Sequence, residues 1–310
     1  MFFSIIIPAR NEARDIERCL ESVIAQEFED YEVIVVDDGS TDETPEIVMH
    51  YSAMYPEKVK SSHSNGCGPG FAKNVGSEMA RGDIIFFMDA DEIINKEFLG
   101  YCKDHFTDSS VAGIIIALEF ESVNTLGRIQ GSWKTTRQGS HLGLFPRLIR
   151  KEIFKTVGRY DASLIVGEDY DLWVRLKAFS ENRQIHFVSE EKAVIRHVDD
   201  DSLYGVFKRA MRFGRVLLPT TKKHPRFAGS ILLWSLFNAL SFWACGLIFF
   251  YFFLSIIYFS MYLIIWSYYI VKSFIVGPFH TRIYFILVPF LQAIIGSGVM
   301  IGVIESIIVQ

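Results

Sequence analysis

Residues 84–91 read Ile-Ile-Phe-Phe-Met-Asp-Ala-Asp. Five apolar residues closing on two carboxylates are the pattern of a strand covered on both faces, with polar side chains delivered at its carboxyl end. The same arrangement occurs twice earlier. Phe2–Pro8 leads into Ala9-Arg10-Asn11-Glu12, and Glu32–Val36 leads into Asp37-Asp38-Gly39-Ser40. The stretches between them have helical spacing. Glu12–Gln26 places Ile16, Cys19, Leu20, Val23 and Ile24 on one face. Thr44–Tyr55 and Phe71–Ala80 read as further helices, the latter behind the turn-forming run Asn65-Gly66-Cys67-Gly68-Pro69-Gly70. Alternating apolar strands and helices predict an α/β domain with a mostly parallel sheet, whose ligands sit at the carboxyl ends of the strands.

The chemistry of those ends can be read residue by residue. Asp89 and Asp91, separated by the small Ala90, can offer oxygens to a hard divalent cation. Such a cation neutralises the charge that grows on a departing nucleoside diphosphate. Each feature also has a plain structural alternative. A lone D-x-D is most often a solvated turn, and Asp37-Asp38-Gly39-Ser40 can be only a turn. Glu12 can be a first-turn acid favoured by the helix dipole. Asp169 can be an ion-pair partner of Arg175, and a lone His197 is most often structural.

Four segments occurring in order carry a resemblance: SIIIPARNE (4–12), EVIVVDDGSTDET (32–44), GPGFAKNVGSEMARGDIIFFMDADE (68–92) and VGRYDASLIVGEDYDLWVRL (157–176). Together they resemble the family 2 glycosyltransferases, which have the GT-A fold. The resemblance implies that Pro8, Ala9, Arg10 and Glu12 line a nucleoside pocket and that Asp37 bonds the base. It implies that Lys73, where many members carry Arg, lies near the phosphates or sugar. Asp89 and Ala90 would face the ribose or the metal, and Asp91 would coordinate Mg²⁺ or Mn²⁺. Asp169 stands at the place of the catalytic base. His197 matches a histidine that in some members completes the metal site.

The charge is unevenly placed. The chain has 310 residues, half of them hydrophobic, and a net charge of −5, with a mean hydropathy of +0.24. Two of its 31 basic residues (Lys272, Arg282) and one of its 36 acidic ones (Glu305) lie at 228–310, so residues 1–227 carry 29 against 35. That acidic balance argues against nucleic-acid binding, which depends on a basic surface. The four cysteines (Cys19, Cys67, Cys102, Cys245) form no C-x-x-C pair, which points to a reducing compartment. The opening MFFSIIIPAR lacks the basic start of a signal peptide and reads as a strand.

From Gly229 to Val271 there is no charged residue. A single helix of that length would be about twice as long as a hydrocarbon core of ~30 Å. The stretch is expected to form two membrane spans turning near Tyr251–Ser255, with a third at Ile283–Ile304; two to four spans are compatible. Between Lys208 and Arg226 lie seven basic residues and no acidic one, which by the positive-inside rule places the large domain on the cytoplasmic face. Lys208, Arg209, Arg212 and Arg215 recur at helical spacing and either hold lipid phosphates or form a solvated face. The expected organisation is a catalytic domain over 1–201, a basic juxtamembrane segment over 202–227 and transmembrane helices over 228–310.

These readings converge on a metal-dependent inverting transferase that uses a UDP- or GDP-linked sugar and a membrane lipid acceptor. Polyprenyl phosphate is the preferred acceptor, and the hydroxyl of a lipid-linked saccharide or glycolipid is the alternative. An inactive membrane-tethered binding module is the non-enzymatic alternative. The Q-x-x-R-W motif usual in processive synthases is absent, so polymerisation is not expected. Trp133, Arg137 and His141, in 124–144, could shape acceptor choice.

Overall fold

The computed structural model describes residues 1–121, 143, 145–181 and 183–198, and in the tail 260–268 with scattered positions between 207 and 271. The chain divides into two compact units. One comprises Met1–Glu119 with His141–Val198, and the other Phe120–Ser140 with Asp199–Gln310. In the second unit residues 260–268 are helical. Among the described residues no helix is long and apolar enough to cross a membrane. The anticipated turn at 251–255, the third span at 283–304, the four cations of 208–215 and the acceptor-loop residues Trp133, Arg137 and His141 lie outside the described residues.

The first unit is built on an eight-stranded sheet: β1 (Phe3–Ala9), β2 (Tyr31–Asp37), β3 (Val59–His63), β4 (Ile84–Phe87), β5 (Glu92–Ile94), β6 (Val111–Glu121), β7 (Leu148–Arg150) and β8 (His186–Val198). Their order is β3-β2-β1-β4-β7-β6-β8-β5. The first four strands of that order are parallel. β7 then runs antiparallel to both β4 and β6, and β5 antiparallel to β8. The expected mostly parallel sheet is therefore a mixed one. Crossover helices α1 (Ile16–Ile24), α2 (Thr44–Met54) and α3 (Pro69–Met79) separate β1 to β4 and return the chain each time to the same end of the sheet, so that the next strand runs parallel. Beyond β4 that strict alternation stops; α4 (Phe98–His105), α5 (Lys151–Thr156) and α6 (Glu168–Glu181) complete the unit.

Burial on both faces explains the continuous apolar strands. Phe3, Ile5, Ile7, Val33 and Val35 pack with α1, α2 and α4, whereas Ile6, Ile34, Val36, Ile85 and Phe87 pack with α3, α5 and α6. A strand whose alternate residues both meet helices is apolar along most of its length; Ser4 and Glu32, near the starts of β1 and β2, are the exceptions and bond each other. On one face Gly76 lets α3 approach: a Cβ there would sit 2.5 Å from Ile6 Cγ2. α1 starts four residues later than the periodicity predicts. Asn11 adopts a positive φ of 56°, and residues 11–13 bond the second loop instead: Asn11 N–H to Ser40 Oγ, Glu12 N–H to Thr44 Oγ1 and Ala13 N–H to Asp42.

The opposite end of the sheet holds a buried charge. Glu32 is paired in register with Ser4 and is fully buried. Its carboxylate accepts from Ser4 Oγ (2.8 Å), Lys60 Nζ (2.7 Å), and the backbone N–H (2.6 Å) and Nε (3.0 Å) of Arg81. Burial would raise its pKa, but these donors outweigh it and hold the carboxyl below the ordinary value. The stabilisation from a lowered pKa is complete above the unfolded value of 4.5 and is lost as pH falls through the folded one. Glu32→Gln is therefore expected to lower the unfolding free energy, measured by urea denaturation at neutral pH, by ~1.5–3 kcal/mol. The gap to the parent protein should narrow below about pH 4. A gap that stays constant with pH would contradict a role for the charge.

Candidate active site

The carboxyl ends of β1 and β2 lie level, because Ala9 pairs with Asp37, and β4 ends at Phe87 opposite Ile6, so the residues that follow it lead toward the same end. This edge gathers the first two motifs. Asp37 is buried; its carboxylate accepts the Ser40 N–H (3.2 Å) and lies 3.2 Å from His63 Nδ1 at the end of β3. Its neighbour Asp38 has a different task. It accepts from Ser64 Oγ (2.5 Å), Cys67 N–H (3.0 Å) and Gly68 N–H (2.8 Å), fixing the glycine-rich turn ahead of α3. Gly66 and Gly68 take positive φ there, and the Arg10 guanidinium lies against Gly66. Pro8 and Ala9 close β1 beside this loop, and Arg10 is exposed above it.

The second group follows β4. Asp89 N–H donates to Glu92 Oε2 (2.8 Å), closing the turn that carries Ala90 and Asp91. Glu92 pairs in register with His197 across β5 and β8. That pairing brings the downstream histidine to the motif, with His197 Nε2 at 3.3 Å from Asp91 Oδ2. Arg147, just ahead of β7, spans the remaining carboxylates: both its Nη atoms lie 3.3 Å from Asp89 Oδ2, and Nη2 also contacts Glu92. Burial alone would raise the Asp89 pKa, but Arg147, Lys73 and His197 bring it down to about 2. Glu92 behaves oppositely. Burial, opposed by Arg147 and reinforced by Asp89 and Asp91, pushes it up to about 8. Two acids share one guanidinium, and Asp89 holds the charge more strongly.

The third group joins α3 to α6. Lys73 is 2% exposed. Its Nζ lies 3.3 Å from Asp169 Oδ1, 3.6 Å from Glu168 Oε1 and 3.9 Å from Asp89 Oδ1. Burial, which would lower its pKa, is outweighed by Asp169, Tyr160, Asp89 and Glu168, so Lys73 stays charged. Gly167, at φ 81°, makes the turn that starts α6. Burial and then the adjacent Asp169 raise Glu168 to about 7. The alternative pairing of Asp169 with Arg175 does not occur. Arg175 takes Asp171, one turn before it on α6, through Nε (2.9 Å) and Nη2 (2.7 Å).

Sequence motifs and geometry thus meet on one edge, and the comparison with known families decides what they belong to. The family model described as "Glycosyl transferase family 2" matches residues 4–197. The chain belongs to glycosyl transferase family 2. Among its relatives, poly(ribitol-phosphate) β-N-acetylglucosaminyltransferase TarS of Staphylococcus aureus (strain Mu50) is 35% identical over 142 residues, 44% of this chain and 24% of that protein. The poly(ribitol-phosphate) β-glucosyltransferase of Bacillus spizizenii is 39% identical over 221 residues, 62% of this chain and 35% of that protein. The chain therefore spans only about a third or less of the length of these relatives. A mannosyltransferase from Pyrobaculum calidifontis, solved with GDP-Man and Mn²⁺, superposes with a TM-score of 0.58 at 14% identity, covering 98% of this chain and 86% of that one. That superposition shows the fold.

Within this family 2 chain, the motif analysis missed Arg147, Glu92 and Tyr160. Glu92 and Tyr160 stand inside the stretches 68–92 and 157–176, where nothing in the sequence sets them apart from their neighbours, and Arg147 reaches Asp89 from 58 positions away. Among the described residues no group of three or more His, Cys, Asp and Glu could hold a metal. The Asp91–His197 pair supplies two donors. The Asp91 carboxylate fits an ion of the Mg²⁺ type, which is usually held by one or two carboxylates with the substrate's phosphates completing its shell.

Proposed function

We propose that the chain transfers a sugar from a UDP- or GDP-linked donor to an acceptor hydroxyl, with inversion at the anomeric carbon. The observation that carries this reading is Lys73, whose ammonium lies within 3.9 Å of Asp89 and 3.3 Å of Asp169, residues of motifs 80 positions apart. One buried cation thereby brings the diphosphate end of a donor and the base into a single site. Pro8, Ala9, Arg10, Glu12 and Asp37 bind the nucleoside, and Asp89, Ala90 and Lys73 orient its ribose and phosphates. Asp91 and His197 would hold Mg²⁺ or Mn²⁺, which when bound offsets the charge on the leaving diphosphate. Asp169 takes the proton of the acceptor hydroxyl as its oxygen attacks the anomeric carbon. The poly(ribitol-phosphate) transferases among the relatives support a polyol-phosphate polymer as the acceptor.

A second reading keeps a lipid acceptor, polyprenyl phosphate above all. The charge-free run 229–271 and the basic run before it favour that reading. In it the apolar tail crosses the membrane in three spans, the catalytic unit faces the cytoplasm, and Lys208, Arg209, Arg212 and Arg215 hold the lipid phosphate.

Both readings are tested by offering the purified full chain, in detergent with Mn²⁺ or Mg²⁺, a panel of UDP- and GDP-sugars. The acceptors are poly(ribitol phosphate), polyprenyl phosphate and extracted membrane lipid. Transfer to the polymer supports the first reading and transfer to the phosphate lipid the second. Asp91→Ala is expected to lower metal-dependent transfer ~100-fold or more, since a bound cation contributes several kcal/mol of charge stabilisation. No transfer and no donor hydrolysis in any arm would overturn both.

A further inference from the structure

Asp169 is held from one side only. Oδ1 accepts from Lys73 Nζ at 3.3 Å and from Tyr160 Oη at 3.0 Å. Among the described residues no donor reaches Oδ2, and the side chain is 34% exposed. Tyr160, in contrast, is buried, its ring 5.0 Å from Phe87 and 5.6 Å from Phe154. Its backbone is clamped as well: Asn74 Nδ2 donates to the Tyr160 carbonyl (2.9 Å), and the Tyr160 N–H donates to Asn74 Oδ1 (3.1 Å). Adjacent residues of α3, Lys73 and Asn74, thus fix the carboxylate and the residue that supports it.

We propose that Tyr160 is a positioning residue for the base: with Lys73 it occupies Oδ1 of Asp169, so that Oδ2 is the atom that takes the acceptor's proton. This rests on the reading of Asp169 as the base. In the step, the acceptor O–H bond breaks as its oxygen bonds the anomeric carbon. The proton moves to Oδ2, and the diphosphate leaves with the electron pair of the old glycosyl bond. Two donors on one oxygen orient the carboxylate. Burial and then the Asp169 carboxylate raise the tyrosine hydroxyl well above its ordinary value, so it remains a donor throughout the working range.

The test is Tyr160→Phe, which keeps the ring packing and removes one hydroxyl. The kcat for transfer is expected to fall about tenfold, the equivalent of one hydrogen bond to a charged group, with the donor KM within about twofold. The acid limb of the kcat–pH profile should move to higher pH, because a carboxylate that loses a donor takes up a proton more readily. The other charges around Asp169, namely Lys73, Glu168, Asp89 and Arg147, stay in place. Should Tyr160→Phe fail to fold, 3-fluorotyrosine at 160 serves instead: a stronger donor should move the limb to lower pH. A folded variant with unchanged kcat and an unmoved limb overturns the proposal. Asp169→Asn, assayed in parallel, separates the two ideas. If it is inactive while Tyr160→Phe matches the parent, only the Tyr160 role falls; if it is fully active, the base assignment falls.

Discussion

Asp169→Asn is expected to lower kcat for transfer to a hydroxyl acceptor by ~10²–10⁴-fold, the range that a positioned general base contributes. Donor KM should stay within about twofold. The isosteric amide keeps the place on α6 beside Lys73 and Tyr160 but cannot take the acceptor's proton. The choice of acceptor sharpens the result. A phosphate oxygen is already ionised near neutral pH and needs no base, so transfer to a phosphate lipid should survive the substitution. Steady-state kinetics with both acceptor types check this. Equal loss with both would assign Asp169 to holding the donor or the metal, and no loss with a hydroxyl acceptor would remove it from catalysis.

The largest effect on stability is expected from Arg147→Met. The guanidinium touches Asp89 and Glu92, and its own backbone is built into the sheet edge: Arg147 N–H donates to Ile114 O, and its carbonyl accepts the Phe87 N–H. Without the side chain, the charge that loses its cation is that of Asp89, the acid held ionised, while Glu92, pushed up to about 8, stays protonated at neutral pH. Removing one partner of a buried ion pair costs ~3–5 kcal/mol because the other is left uncompensated. An unfolding free energy lowered by that amount, measured by urea denaturation, is the expected outcome. Adding Glu92→Gln should recover little of the stability, because Glu92, pushed up to about 8, is already protonated at neutral pH. Transfer should not recover, since Asp89 still lacks the cation that orients it. A single variant as stable as the parent would show that Arg147 is dispensable to the fold of this edge.

How much of this was legible in the sequence differs by residue. The strands beginning at 3, 31 and 84 were readable because each is buried on both faces, which writes an unbroken apolar run. The start of α1 was misread because the backbone of residues 11–13 is engaged by Ser40, Asp42 and Thr44 across about 30 residues, a cost that helical periodicity does not record. Nothing in the sequence gives Asp38 a task of its own beside Asp37. Only the fold shows that it faces the glycine turn and bonds three groups there. For Arg175 the sequence reading offers Asp169 as a partner and passes over Asp171. The i,i+4 spacing and the burial of Asp171 give the guanidinium to the latter.

By itself the sequence determined the α/β class, the family and the four stretches that form the edge of the site, because local periodicity and short motifs are written contiguously. The tertiary structure alone decided the mixed order of the sheet, the placing of His197 against Asp91, the union of Asp89 with Asp169 through Lys73, and the entry of Arg147 and Tyr160. Each of these depends on strand register or on contact between residues far apart in the chain. Such contacts follow from how the whole core packs, and no local pattern of residue types specifies them.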